Sequence, residues 1–362
     1  YYQVLLETYT QAGNKEKVAS TFEAIREKFP NNPEADLLVA DYYYSTGRQN
    51  EAIQLVKKVF ANPDYSPESK MQIIYGRYLS QPLNGEQKAE ALELLAILLA
   101  THADNDRVQA LYGDFLYREG NYAEAAKAYK TALDTRKTVF GIWQQYFLSL
   151  NALKEYATLE KETQAALEFF PSHSLIYFFN GVALQEQGKY KPALKAYETG
   201  LNFLVENPGL EAQYYINLAE VHYRMKQFPE SDRYFEKALG MDPDNAVALN
   251  NYAYYLSVRN ERLPQAAQMS EKSLKISPDN PSYLDTYGWI LYRQGKYDKA
   301  EEWIKKALDA DPRSAEVTEH YGDVLYKLGK TDMAVEYWNK ALLLGSSSAN
   351  LQRKIADRKL YE

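Results

Sequence analysis

The 362-residue sequence contains no cysteine and only four histidines. Without cysteine the chain has no disulfide, no thiolate metal site and no cysteine nucleophile. The histidines lie far apart in the sequence and none belongs to a His-Glu-x-x-His pattern, and a metal site needs several convergent ligands. The sequence therefore predicts neither a metal nor a cofactor, and none of these four histidines is a candidate ligand: His102, His173, His222 and His320.

Long apolar runs and blocks of one charge are also missing. The longest apolar stretch, Leu94–Ala100, is far shorter than the roughly 18 residues that a membrane-spanning helix needs. The net charge is −7 and no cluster of Lys and Arg stands out, so the sequence argues against a nucleic-acid partner, whose phosphates require clustered cations. No sustained alternation of apolar and polar residues predicts a strand, which leaves an all-α chain.

What the chain does contain is a repeat of about 34 residues, and its clearest copy spans Pro281–Pro312. Gly288 and Leu291 continue a helical periodicity, Gly295 interrupts it, and Ala300 belongs to a second periodic face. This pattern predicts two short helices joined by a tight turn. The small residues on each helix would let the two axes approach closely, because a larger side chain would hold them apart.

We divide the chain into ten such units and a tail. The predicted units are residues 1–32, 33–68, 69–105, 106–139, 140–173, 174–211, 212–245, 246–280, 281–314 and 315–348. The unit at 69–105 is irregular, with Gly76 as the small residue of its first helix. In the tail, 349–362, Leu351 and Ile355 share one face and Lys354 lies off it, which predicts a C-terminal helix that caps the outer apolar face of the last unit.

Spacing and residue types together resemble the tetratricopeptide repeat family across essentially the whole chain. The resemblance implies an α-solenoid, a right-handed superhelix of antiparallel helix pairs whose first helices line a concave groove. In this family the groove commonly binds a peptide or a partner protein, so we expect a non-catalytic scaffold or adaptor. Two alternatives remain open: a structural or spacer module that self-associates, and a regulatory domain of a larger protein.

A narrower resemblance lies in Leu249–Ala266 and Ser277–Ala300, which are similar to a bacterial subfamily of outer-membrane lipoprotein scaffolds. It implies a periplasmic, outer-membrane-associated protein of a Gram-negative bacterium, with a cytoplasmic location as the alternative. The chain begins at Tyr1 without a methionine and inside a first repeat. We therefore expect a trimmed chain, from which a signal peptide or a lipid anchor would be missing.

The family geometry directs five positions of each first helix into the groove. A Lys is absent from the fifth position of every unit, so we do not expect a clamp for a C-terminal carboxylate. The candidate partner-binding residues are Tyr117, Arg118, Phe178, Phe179, Val182, Ile216, Glu220, Tyr223, Arg224, Tyr254, Asp285, Trp289, Tyr292 and Arg293.

Two groups within this set have an alternative role. The tyrosines either contact a partner through their large rings or pack the helix pair. The apolar group, Phe178, Phe179, Val182 and Ile216, is either an exposed patch that marks a partner site or part of the packing between units.

Overall fold

The computed structural model describes residues 2–361, apart from the side chain of Gln3. Every regular element in this range is helical and no β-strand occurs in it. The prediction of an all-α solenoid is confirmed. The chain forms two compact units, residues 1–171 and residues 172–362.

The first compact unit consists of consecutive antiparallel helices joined by short turns. Its helices are α1 (Tyr2–Gln11), α2 (Lys15–Lys28), α3 (Pro33–Ser45), α4 (Gln49–Ala61), α5 (Pro67–Ile74), α6 (Gly85–Thr101), α7 (Asp106–Arg118), α8 (Tyr122–Thr135), α9 (Phe140–Ala152) and α10 (Tyr156–Leu167). A π-helical segment, Tyr75–Leu79, continues α5.

The second compact unit repeats the same arrangement more regularly. Its helices are α11 (Ser174–Glu186), α12 (Tyr190–Asn202), α13 (Pro208–Arg224), α14 (Phe228–Met241), α15 (Ala246–Val258), α16 (Leu263–Ile276), α17 (Pro281–Arg293), α18 (Tyr297–Ala310), α19 (Ala315–Lys327), α20 (Thr331–Leu343) and α21 (Leu351–Asp357). Asparagine begins several of them: the side chain of Asn280 accepts hydrogen bonds from the backbone N–H groups of Ser282 and Tyr283, which have no partner within the helix.

In several helix pairs, close approach of the two helices depends on a glycine in the first helix. A Cβ atom built on Gly113 would lie 2.6 Å from Cε1 of Tyr129, and one on Gly322 would lie 2.6 Å from Cδ1 of Trp338. A Cβ on Gly288 would overlap Cγ1 of Ile304. The predicted role of Gly288 is therefore confirmed, and a large side chain of the second helix occupies the space that the glycine leaves.

Gly76 does not have this role, and its assignment as the small residue of a helix pair is wrong. It lies in the π-helical segment, and a Cβ built on it would meet nothing within 4 Å. A π-turn holds more residues than an α-turn, so the side-chain positions that follow α5 are rotated away from the regular repeat.

Most turns inside a helix pair contain a residue in the left-handed conformation. Glycine fills it at Gly188, Gly295 and Gly329, with φ of 72°, 75° and 78°. Lys226 fills it between α13 and α14 with φ of 59°, and its N–H donates to the carbonyl of Tyr223 over 2.8 Å, the same bond that Gly295 makes to Tyr292 over 2.9 Å. A side chain costs about 1–2 kcal/mol in this conformation.

We expect Lys226→Gly to raise the free energy of unfolding by about 0.5–1 kcal/mol, because the relieved strain exceeds the added flexibility of the unfolded chain. Lys226→Ala is the matched control, since it removes the same exposed side chain and keeps the strain. Urea unfolding followed by circular dichroism would measure both. Equal stability of the two variants would contradict the prediction.

Candidate functional site

A cavity of about 610 Å³ opens in the second compact unit on the surface formed by α15, α17 and α19. Helical spacing places its lining residues on one face of each helix, with Tyr254 and Val258 on α15 and Trp289 and Arg293 on α17. The part of the wall from α19 is charged and is formed by Glu316, Glu319, His320 and Asp323. The loop before α21, together with Lys354 and Tyr361, completes the cavity.

Three stacked rings lie at the cavity: Trp289 and His320 line it, and Tyr292 is buried behind them. The indole of Trp289 lies 4.1 Å from the imidazole of His320 and 4.6 Å from the ring of Tyr292, with interplanar angles of 18° and 13°. Beside the stack, the hydroxyl of Tyr254 donates a hydrogen bond to Oε1 of Glu316 over 2.7 Å. The wall thus combines stacked aromatic rings with an exposed carboxylate.

His320, one of the stacked rings, forms a buried ion pair with Asp285. Nδ1 of His320 is 2.9 Å from Oδ2 of Asp285, and both residues are buried. Burial alone would lower the pKa of His320, but the Asp285 carboxylate outweighs it and raises that pKa to about 9. His320 is therefore a cation at neutral pH and donates to Asp285.

A second buried ionic cluster joins α19 to α21. Nζ of Lys354 donates to Oε1 of Glu319 over 2.9 Å and to both carboxylate oxygens of Asp323 over 2.8 Å. Asp323 also accepts from Nε1 of Trp338 over 2.8 Å, and Glu319 accepts from Oγ of Ser346 over 2.8 Å. Burial opposes the charge on Glu319, but the Lys354 ammonium outweighs it and holds the pKa of Glu319 below its usual value.

The placement of Lys354 off the packed face of the tail was wrong. Leu351 is 1% exposed and Ile355 packs on the same hydrophobic cluster, yet Lys354 is buried between them at 4%. A buried ammonium is tolerated only where counter-charges and hydrogen bonds replace its lost hydration, and Glu319 and Asp323 supply both.

The structure brings together three of the sequence-predicted site residues, Tyr254, Trp289 and Arg293, in the wall of this cavity. Asp285 and Tyr292 lie behind the wall, at 6% and 3% exposure. These two residues position Trp289 and His320 and expose almost no surface of their own.

The predicted residues of α13 lie outside the cavity lining. Glu220 accepts hydrogen bonds from Nε2 of Gln185 over 3.1 Å and from Nδ2 of Asn251 over 2.6 Å, and burial raises its pKa. The ring of Tyr223 stacks on Tyr255 at 3.8 Å, an arrangement that corresponds to the packing alternative. Arg224 is exposed at the end of the same helix.

The predicted apolar patch is largely packed inside the second compact unit. Phe179 and Ile216 are 6% and 7% exposed. Phe178 is half-buried, with its ring edge-on to Tyr214 at 5.2 Å, and Val182 packs on the same cluster. Phe179 and Ile216 therefore offer no surface to a partner in this conformation.

Two predicted residues lie in the first compact unit, at the end of α7. The ring of Tyr117 packs edge-on against Tyr122 at 5.0 Å, and Arg118 is exposed beside Glu119. These two residues do not line the cavity, whose lining residues all belong to the second compact unit.

Five charged residues of the cavity lining are not among the predicted partner-binding residues: Glu316, Glu319, His320, Asp323 and Lys354. The groove positions of the last repeat did point to three of them, since Glu316, Glu319 and Asp323 occupy its second, fifth and ninth places. His320 and Lys354 gave no signal, because charged side chains are seldom buried and a single sequence does not show their partners.

Within the part of the chain that the structure describes, no group of three or more His, Cys, Asp or Glu residues could hold a metal ion. None of the helices in residues 2–361 combines the length and apolar character that crossing a membrane requires.

Paired helices of this kind, with close glycine contacts, define a class of helical-repeat solenoids. Three sequence models of families match the chain: one described as a tetratricopeptide repeat-like domain over residues 1–153, one described as a tetratricopeptide repeat over 212–245, and one described as anaphase-promoting complex, cyclosome, subunit 3, over 259–341. The chain belongs to the tetratricopeptide repeat family.

Two curated relatives are similar to parts of the chain. The human protein O-mannosyl-transferase TMTC3 is 27% identical over 175 residues, which cover 48% of this chain and 19% of that protein. The TPR repeat-containing protein YpiA of Bacillus subtilis is 20% identical over 283 residues, 68% of this chain and 64% of YpiA. The chain thus spans less than two thirds of either relative.

Solved structures share the fold at low sequence identity. The crystal structure of the APC/C hetero-tetramer Cut9-Hcn1 is similar with a TM-score of 0.59 and 14% identity, over 98% of this chain and 75% of that one. Yeast Tom70 is similar with a TM-score of 0.52 and 16% identity, over 99% of this chain and 87% of that one. A tetratricopeptide repeat protein from Parabacteroides merdae has a TM-score of 0.56 and 14% identity, over 70% of this chain and 98% of that one.

Proposed function

We propose that the protein is a non-catalytic scaffold that binds a partner protein or peptide on the surface formed by its first helices. We further propose that the cavity lined by Tyr254, Trp289 and Glu316 is a binding site of that surface. The cavity carries the proposal: its volume of about 610 Å³ falls in the range of ligand sites, and it combines a flat aromatic wall with a few polar groups. The similarity to Cut9, whose structure is that of a hetero-tetramer with Hcn1, supports an interaction role in general.

The charges around the cavity support binding over catalysis. Asp285 holds His320, and Glu319 and Asp323 hold Lys354, so these groups are engaged in ion pairs that join helices. Ion-pair networks of this kind perturb pKa values without a catalytic role. Transferase activity belongs to the name of one relative of which this chain matches 19%, so it is not proposed for this chain.

Two alternatives and a location accompany this proposal. The partial coverage of both curated relatives fits a binding or regulatory segment of a longer protein. Self-association remains the second alternative. The division into ten units with α21 as a cap is likewise a proposal. So is the location: the resemblance of 249–266 and 277–300 suggests an outer-membrane lipoprotein scaffold.

The test is a purification from cells that make the protein, with the chain and its variants as bait. Glu316→Lys reverses an exposed charge of the cavity wall, and Glu302→Lys reverses an exposed charge on α18, outside the cavity lining. We expect recovery of the partner to fall at least about tenfold with Glu316→Lys, since like charges facing each other across an interface cost several kcal/mol. Recovery with Glu302→Lys should equal that of the unchanged chain.

Quantitative mass spectrometry gives the recovery, and circular dichroism verifies that each bait is folded. If both variants retain the partner equally, the proposal that the cavity is the binding site is wrong. A bait that captures only further copies of itself would favour the self-association alternative.

A further inference from the structure

We propose that α21 fills a seat on α19 that borders the cavity, and that a partner takes its place with a helical segment in which an aliphatic residue precedes a Lys or Arg by three positions. This inference rests on the proposed function, because it names the chemistry that the same site recognises. Its basis is the way in which Lys354 and Leu351 of α21 are seated on α19.

Lys354 occupies a slot built for a cation. Glu319 and Asp323 are four residues apart on α19 and therefore project side by side from one helix face. Both are buried, at 7% and 4% exposure, and both direct carboxylate oxygens at the one ammonium group. Trp338 and Ser346 donate to the same two carboxylates and fix their orientation.

Removal of the cation from the slot between Glu319 and Asp323 would cost considerable free energy. Removal of one partner from a buried ion pair exposes an uncompensated buried charge, a penalty that exceeds the value of the pair itself. A partner that displaces α21 must therefore bring its own ammonium or guanidinium to Glu319 and Asp323. This requirement defines the chemical class of the partner segment and excludes one with an acidic or neutral residue at that position.

The helix α21 is short, and a linker of mostly small polar residues joins it to the rest of the chain. The helix has seven residues, and its N-cap residue, Asn350, makes no side-chain capping bond. Helices this short are unstable by themselves in water, so docking supplies their stability. Gly345–Asn350 joins α21 to α20 and contains mostly small polar residues, and Gly345 has φ of 92°. Release of α21 would thus leave the helix pairs α17–α18 and α19–α20 intact.

The apolar half of the seat fixes the spacing of the partner segment. Leu351 is 1% exposed in the hydrophobic cluster of α17–α20, one helical turn before Lys354. Charged groups that also face the cavity are Glu316 from α19 and Arg293 from α17, beside His320. Arg353, adjacent in sequence, has a side chain 65% exposed and points away from the slot, which makes it the matched control.

The experiment uses a fluorescein-labelled synthetic peptide with the sequence of residues 346–361, titrated by fluorescence anisotropy into three full chains. They are the unchanged chain, Lys354→Ala and Arg353→Ala. We expect Lys354→Ala to bind the peptide at least tenfold more tightly than the other two, because its own α21 no longer fills the slot. A peptide with alanine in place of the slot lysine should lose at least tenfold in affinity for Lys354→Ala.

Hydrogen exchange of the unchanged chain tests the displacement of α21 directly, without any substitution that could itself alter the structure. Excess peptide should accelerate exchange of the α21 amides and leave those of α18 unaltered. The proposal is overturned if α21 keeps its protection at the highest peptide concentration, or if the alanine peptide binds as tightly as the lysine peptide.

Two other outcomes identify what fails. A stable dimer of Lys354→Ala by light scattering, formed without peptide, would make a second copy of the chain the occupant and overturn the partner assignment. Loss of the cellular partner with Glu316→Lys, together with no displacement of α21, would keep the proposed function and refute this inference alone.

Discussion

Asp285→Asn is expected to lower the free energy of unfolding of the α17–α19 region by about 3 kcal/mol at neutral pH. His320 is buried with the Asp285 carboxylate as its counter-charge, and its pKa is raised from 6.5 to about 9. One unit of pKa corresponds to about 1.4 kcal/mol, so the elevated pKa measures the stabilisation that the neutral asparagine removes.

The same pair gives the stability of this region a pH dependence with a definite sign. A group whose pKa is higher in the folded state stabilises fully below its unfolded pKa and loses that contribution as pH rises through its folded value. For His320 the contribution is complete below about pH 6.5 and declines as pH rises through about 9. In Asp285→Asn the decline over this window should disappear.

Urea unfolding at a series of pH values, followed by tryptophan fluorescence, would measure both effects. Trp289, Trp303 and Trp338 lie on α17, α18 and α20, so the signal reports mainly on this region. Asp244→Asn is the matched control, since Asp244 pairs with Lys272 on the surface with a side chain 78% exposed. An imidazole of His320 that titrates near or below pH 6.5 by NMR would contradict the prediction.

The sequence was sufficient to predict the fold because the determinants of a helical repeat are local. Gly288 and Gly295 carry their meaning within one unit: the first permits contact with Ile304, and the second adopts a φ of 75°. Each recurs in other units, so the period itself reveals them. Gly76 shows the limit of this reasoning, because a π-turn changes the register without changing the residue types.

The candidate site was only partly predictable, because its key contacts join distant residues. Family geometry directed attention to Tyr254, Trp289 and Arg293, and the structure shows that they line the same cavity. The contacts of His320 with Asp285 and of Lys354 with Asp323 span 35 and 31 residues, and both depend on how successive units pack. No local pattern distinguishes these charged residues from solvated ones.

Burial also decides which groove positions have surface left for a partner. Groove positions of one helix differ in exposure: on α17 Trp289 is half-buried, whereas Tyr292, one turn later, is 3% exposed and packs against Lys327 and Tyr297. Aromatic residues at groove positions are therefore of two kinds: buried ones such as Tyr292, which pack inside the unit, and ones such as Trp289, which line the cavity. The proposed binding site is the place where half-buried Trp289 lies beside the exposed carboxylate of Glu316.

Alanine substitutions at two glycines of the second compact unit are expected to act with opposite sign. Gly288→Ala should lower the free energy of unfolding by about 1–3 kcal/mol, because the new methyl group would overlap Cγ1 of Ile304 and lie 3.1 Å from its backbone nitrogen. A rigid helix backbone cannot move away as a flexible side chain would. Separation of α17 from α18 would also disturb Trp289 and Asp285, which α17 carries.

Gly240→Ala is the matched control, in the last turn of α14, where a Cβ atom would meet nothing within 4 Å. It should raise the free energy of unfolding by about 0.5–1 kcal/mol, because alanine loses less entropy in a helix than glycine. Hydrogen exchange measured on peptides from α14 and α17 would localise each effect, which matters in an array whose units unfold with limited cooperativity. Stabilisation by Gly288→Ala would mean that the helix pair has room for a methyl group, and close packing against Ile304 would then not explain the glycine at this position.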